Sequence, residues 1–233
     1  MLSDNGRDFS SLPNSFFSVF FWKGILSHFP LGFHLPTEER SVLNFSQNNM
    51  RIAPILKTPR LLLRPIERED APYVYRWTHS EAVTEYLFYL PNRSLEDTTR
   101  LVSGWVKKRR NYEWVLCAGD DVFGEIQVIK DLPQDGFEIG YESREDRWGN
   151  GYVKEGLIAV FHFLFEEAGY SYGYAITRKE NERSRGLLRH LGFKVIGETT
   201  RHIDKTGEDL PLLEFRLEKE DFENSISKEK EKS

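Results

Sequence analysis

The spacing of apolar and polar positions changes near residue 50, and a regular succession of elements can be read from there on. Leu61-Leu62-Leu63, followed by Arg64-Pro65-Ile66, predicts a strand over 61–66. Glu67-Arg68-Glu69-Asp70 then opens a helix running to about Trp77, with carboxylates in the turn where the helix dipole favours them. Ser94-Leu95-Glu96-Asp97 has the spacing of a capping box, with aspartate as a weaker partner than Glu or Gln. It predicts a helix to about Arg110. Residues 114–118, 122–130 and 137–142 read as three strands in a meander, turned by Gly119-Asp120-Asp121 and Pro133-Gln134-Asp135-Gly136. Residues 152–168 carry the helical period and stop at Gly169. A strand over 172–177, a helix over 181–190 with Gly192 as its C-cap, and a hairpin of 193–203 with 210–217 complete the pattern. The charged tail from Glu218 is expected to be frayed, leaving 221–233 as a flexible end. The order predicts an α+β fold with a mixed, largely antiparallel sheet flanked by helices.

Residues 1–49 show no steady period. They mix Phe, Ser, Asn and Pro, and Ser15-Phe16-Phe17-Ser18-Val19-Phe20-Phe21-Trp22 is their most apolar run. That run is too short to span a bilayer. Asp4 and Asp8 stand where a secretory signal needs positive charge. Three readings compete: a membrane-surface anchor, a partly ordered extension, and translated sequence upstream of a true start at Met50. Met50-Arg51-Ile52 lies just ahead of the first strand, which favours the third.

Composition narrows the class. With 233 residues and 39 % hydrophobic content, the chain can bury one good core. A net charge of −5 argues against a nucleic-acid binder. The single cysteine, Cys117, excludes an internal disulfide and sits in a strand-like run as a small apolar residue. No Cys/His cluster has zinc spacing, so no metal is expected. A cytoplasmic enzyme with neither membrane nor nucleic-acid partner is the expectation.

The candidate chemistry lies in Trp148-Gly149-Asn150-Gly151-Tyr152-Val153. Two glycines stand between a strand and a helix. They leave backbone N–H groups uncovered at a positive helix end, a place that suits a phosphate. Further on come Asn181-Glu182-Arg183-Ser184 and Leu191-Gly192-Phe193. The order of strand, glycine turn, helix, strand, Asn-x-x-Ser helix and Leu-Gly-Phe resembles the GNAT family of acyl-CoA-dependent N-acyltransferases. The Trp-Gly-x-Gly-Tyr form is similar to its RimJ/RimL-type branch. The resemblance covers roughly residues 57–220.

That resemblance implies direct transfer of the acetyl group of acetyl-CoA to an amine, without a metal. Its cofactor loop would comprise Trp148, Gly149, Asn150, Gly151, Tyr152 and Val153. The strand before it would end near Ser143 with an N–H for the oxyanion, and Asn181 would hold the pantetheine arm. Asn181 also fits a helix N-cap. The family's tyrosine acid falls on Leu188, which has no proton to give. In the RimL-type branch a serine serves instead, here Ser184, unless its hydroxyl only bonds its own helix. Glu145 is the first choice for the base, with Glu138 and Glu142 beside it on one strand face. Trp77 and residues 86–89 are candidates for the acceptor wall. A protein N-terminal amine is the acceptor expected of the branch. A polyamine, amino sugar or antibiotic is the alternative, and a non-catalytic acyl-CoA sensor is a third reading.

Overall fold

The computed structural model describes residues 51–108 and 111–230. The readings of residues 1–49 therefore fall outside the described residues. Those described form an eight-stranded sheet with helices on both faces. The strands are β1 (Leu56–Lys57), β2 (Leu62–Pro65), β3 (Glu113–Ala118), β4 (Asp121–Leu132), β5 (Gly136–Ser143), β6 (Tyr172–Arg178), β7 (Lys194–Ile203) and β8 (Glu208–Glu218). The helices are α1 (Ala71–Thr78), α2 (Glu81–Thr84), α3 (Leu95–Lys108), α4 (Tyr152–His162), α5 (Glu182–His190) and α6 (Lys219–Lys230). Spatial order follows the chain except that β8 lies between β6 and β7. All pairings are antiparallel except that of β5 with β6.

Alternation along the strands splits the core in two. Trp114 and Leu116 point to a large apolar layer under α4, α5 and α6, built from Leu63, Ile126, Phe137, Leu157, Phe161, Leu188 and Phe222 among others. Val115 and Cys117 point to a smaller layer under α1 and α3, with Val74, Trp77 and Val102.

The one parallel pairing is short. It joins Gly136 to Tyr172, Phe137 to Gly173 and Glu138 to Tyr174, and stops there. β4 has a bulge between Val128 and Lys130, opposite Ile139 and Glu138. A bulge adds local twist and bends its strand. It lies where β5 parts from β6, so residues 139–143 have a β6-facing backbone edge with no strand partner among the described residues.

Two expectations are corrected. The tail after Glu218 is a helix, because Phe222 and Ile226 lie four apart and bury one face in the larger layer. Ser225 Oγ donates to Leu191 O at 3.2 Å, and Lys194 Nζ pairs with Asp221 at 2.7 Å, which pins the helix down. The helix after the glycine turn is α-helical only to His162. A π turn over Phe163–Glu167 follows, placing Phe163, Leu164 and Phe165 in the core.

Candidate active site

A cleft of about 510 Å³ opens where β5 and β6 splay. The N-terminal ends of α4 and α5 border it, because each follows one of the two strands. Gly149 and Gly151 have φ of +75° and +73°, the left-handed region that glycine enters without a Cβ clash. Gly151 is the N-cap of α4, so no side chain caps that helix. A helix start without a side-chain cap, bordering the cleft, is a place that suits an anion. Arg147, Lys154 and Arg183 add positive charge to the lining, and the Arg183 guanidinium lies 3.6 Å from the centre of the Trp148 indole. The loop is braced from the β1–β2 turn: Arg60 donates to Asn150 O at 3.0 Å and stacks 4.6 Å over Tyr152.

Most of the expected cofactor loop lines the cleft: Ser143, Trp148, Gly149, Gly151, Tyr152, Val153 and Asn181. Asn150 is exposed, and its side chain instead ties the loop by donating to Trp148 O at 3.0 Å. Trp148 Nε1 donates to Ser143 O at 3.0 Å, which fixes the loop against the strand end. Asn181 is the N-cap of α5, its Oδ1 accepting from Ser184 N at 3.0 Å.

The catalytic candidates separate by position. Ser184 lines the cleft, and its hydroxyl lies 2.9 Å from the Tyr141 hydroxyl. Its hydrogen bond goes to that phenol and not to a carbonyl of its own helix. Burial pushes the Tyr141 phenol up to about 12, while the bond to Ser184 draws it down. The phenol thus stays protonated at neutral pH and can donate to Ser184 Oγ, leaving the serine proton available to another acceptor. Leu188 is packed in the core.

Glu145 sits in a short 3₁₀ turn, exposed, and accepts a hydrogen bond from Ser80 Oγ. It does not line the cleft. Glu138 is buried and paired with Lys130 Nζ at 2.9 Å, also away from the lining. Glu142 does line it. Its carboxylate accepts from Trp77 Nε1 at 3.0 Å and from the Tyr89 hydroxyl at 2.6 Å. Burial pushes it up to about 7, against the pull of those two donors. Glu142 and Tyr141 are consecutive, so they project to opposite faces of β5. The strand end carries a carboxylate near neutrality on one face and a hydroxyl pair on the other.

A glycine turn between a strand end and an uncapped helix is what the sequence led one to expect; the splay of β5 from β6 and the left-handed glycines are what the structure adds. The sequence profile of the acetyltransferase (GNAT) domain matches residues 60–194. The chain belongs to the GNAT acetyltransferase family. Among its relatives is an uncharacterised N-acetyltransferase of Bacillus subtilis, YoaA, 29% identical over 161 residues that cover 66% of this chain and 90% of that one. The spermidine N(1)-acetyltransferase of Escherichia coli K12 is 24% identical over 145 residues, covering 58% and 74%. The fold matches that of Mycobacterium smegmatis RimJ in complex with CoA-disulfide, with a TM-score of 0.63, 19% identity, and 73% and 88% coverage. GNAT proteins are acetyl-CoA-dependent N-acetyltransferases, and the donor set at this cleft fits that co-substrate. Its backbone N–H groups and basic side chains suit phosphates, and the apolar wall of Val153 and Leu187 suits a pantetheine arm. Among the described residues no helix is long and apolar enough to cross a membrane.

Acetyl-CoA at about a hundredfold over its dissociation constant should stabilise the protein by roughly 2.7 kcal/mol. Gly151→Asp should abolish that gain by putting a carboxylate at the helix end. Thermal unfolding with and without acetyl-CoA reads the difference. An undiminished shift in the variant would remove the phosphate site from this loop.

Proposed function

We propose that this protein transfers the acetyl group of acetyl-CoA to the primary amine of a small molecule, with Glu142 as base and Ser184 as acid. The observation that carries the chemistry is that both groups line the cleft from the two sides of one strand end, Glu142 on one face of β5 and Ser184 of α5 held by Tyr141 at the other. The nitrogen–acetyl bond forms as the carbon–sulfur bond breaks. Glu142 receives the proton that leaves the nitrogen, and Ser184 gives its proton to the departing sulfur. Tyr141 orients the serine, replaces the proton it gives up, and regains one from solvent once the products leave. The free backbone edge of residues 139–143 would offer N–H donors to the oxyanion. Gly149, Gly151 and the first turn of α4 would hold the pyrophosphate, and Asn181 the pantetheine arm.

The acceptor side supports a compact substrate. Val83, Tyr86 and Leu87 wall the cleft there. The segment from Thr84 to Asn92 is strapped down at several points. Lys205 Nζ donates to Thr84 O, and Arg178 to Glu85 O at 3.2 Å. Tyr89 bonds Glu142, and Asn92 Nδ2 donates to Thr98 Oγ1 at 2.8 Å. A polypeptide N-terminus needs a groove that is open along its length, whereas these ties favour a small pocket. The relationship to a spermidine acetyltransferase agrees with this reading.

An acceptor screen that follows CoA release tests it. Polyamines, amino sugars and aminoglycosides should be turned over in preference to peptides with varied N-termini. Preference for a peptide would return the N-terminal amine as the acceptor, and binding of acetyl-CoA with no turnover on any amine would leave a sensor. With the best acceptor, Ser184→Ala should lower kcat by roughly 10²- to 10⁴-fold with a smaller change in acetyl-CoA affinity. Wild-type turnover in that variant would exclude serine as the acid.

A further inference from the structure

Glu142 does not stand alone. Glu125 on β4 is its direct cross-strand partner, and Val115 on β3 is the partner of Glu125 on the other side. Glu113 pairs with Gln127, two residues along from Glu125, which makes Glu113 and Glu125 diagonal neighbours. All three carboxylates lie on the sheet face of Val115 and Cys117, beneath α1 and α3. Direct cross-strand partners hold their Cβ atoms about 4.5–5.5 Å apart, and diagonal ones about 7–8 Å, within reach of long side chains.

The cluster is short of partners. Glu125 is 1% exposed and its Oε2 has no hydrogen-bond partner, while its Oε1 accepts from Gln127 Nε2 at 3.3 Å. Glu113 Oε1 is also buried without a partner. Among the described residues no Lys, Arg or His pairs with any of the three. The side chains that hydrogen-bond to them are Trp77 of α1, Tyr89 of the strapped segment and Gln127 of β4. Buried carboxyls without cations destabilise a fold, and apolar side chains of similar size would hold the two layers together better. Their position gives a reason for them: the row starts at the cleft with Glu142 and ends at half-buried Glu113, the first residue of β3, whose Oε1 is covered.

We propose that Glu142, Glu125 and Glu113 form a proton-exit chain, which carries the proton taken from the acceptor amine through the interior beneath α1 and α3 to solvent at Glu113. This rests on Glu142 being the base. Each carboxyl accepts one proton and releases one to the next, the last to water, so the row ends each cycle as it began. Burial and the charge of Glu142 raise both Glu125 and Glu113, the latter to about 8. The row therefore holds exchangeable protons at neutral pH.

Two measurements test the chain. The first follows the carboxyl titration by NMR with ¹³C-labelled glutamate and needs no acceptor. Glu142→Gln should move the Glu113 midpoint down from about 8, because it removes the charge that helps hold it up. An unmoved midpoint would show that the ends do not communicate and would overturn the chain. The second is turnover of Glu125→Gln with the best amine from the screen. Glutamine keeps the shape and cannot pass a proton. kcat should fall at least tenfold with KM unchanged, and should then rise with the concentration of a small buffer base, as it does not in the wild type. Wild-type kcat, or a loss that buffer does not rescue, would overturn the relay. A Glu142→Gln variant that still turns over, with the titrations coupled, would instead sink the assignment of the base.

Discussion

Glu142→Gln is expected to lower kcat by roughly 10²- to 10⁴-fold, the range for loss of a positioned acid–base group, while leaving acetyl-CoA binding intact. The amine must lose a proton to form a neutral amide, and Glu142 is the carboxylate that lines the cleft. Its position near 7 suits a base at neutral pH, since it is half ionised there and still basic enough to take the proton. A base must be ionised to act. The rate should therefore climb with pH through about 7 in the wild type, and that limb should disappear from the residual activity of the variant. Glutamine can keep Trp77 Nε1 as donor to its carbonyl oxygen and give an amide N–H to the Tyr89 hydroxyl, which can accept it, so the loss is not expected to reflect a collapsed wall. Calorimetry of acetyl-CoA binding, beside kcat against pH, separates the two effects. Wild-type turnover would dismiss Glu142, and the base would then be a water chain from solvent.

How much of this was legible in the sequence follows from how local each signal is. The glycine loop was readable because a left-handed turn at a helix start admits few residues, and Gly149 and Gly151 announce it within six positions. Asn181 was readable as a cap for the same reason. The base was not. Glu138, Glu142 and Glu145 lie within eight positions and are chemically identical. What distinguishes them is supplied from elsewhere: Trp77 and Tyr89 for Glu142, Lys130 for Glu138, and Ser80 for Glu145. Tyr141 and Ser184 are likewise brought together from 43 positions apart by the turn from β5 through α4 and β6 to α5. Helix α6 is not legible locally, because its polar composition hides two apolar residues with the helical spacing, and burying them needs a core already built.

The buried carboxylates should also leave a mark on stability. A glutamate that titrates near 4.5 in the unfolded chain and near 8 when folded, as Glu113 does, keeps its proton in the native state after the unfolded state has lost it. The native state then binds more protons between those values, so stability falls as pH rises through that window. The contribution is fully present below about 4.5 and gone above about 8. Glu113→Gln removes the titration and keeps the neutral shape. It should leave stability at pH 5 nearly unchanged and raise it at pH 8 by about 2 to 4 kcal/mol, given 1.36 kcal/mol for each pKa unit and some relief from water entering around a part-exposed group. Urea unfolding at the two pH values measures this. The same gain at both would mean that glutamine simply packs better, and no gain at either would mean that Glu113 titrates as an ordinary surface acid. A stabilised variant that turns over slowly would show why the sequence keeps a carboxyl where the fold is better off without one.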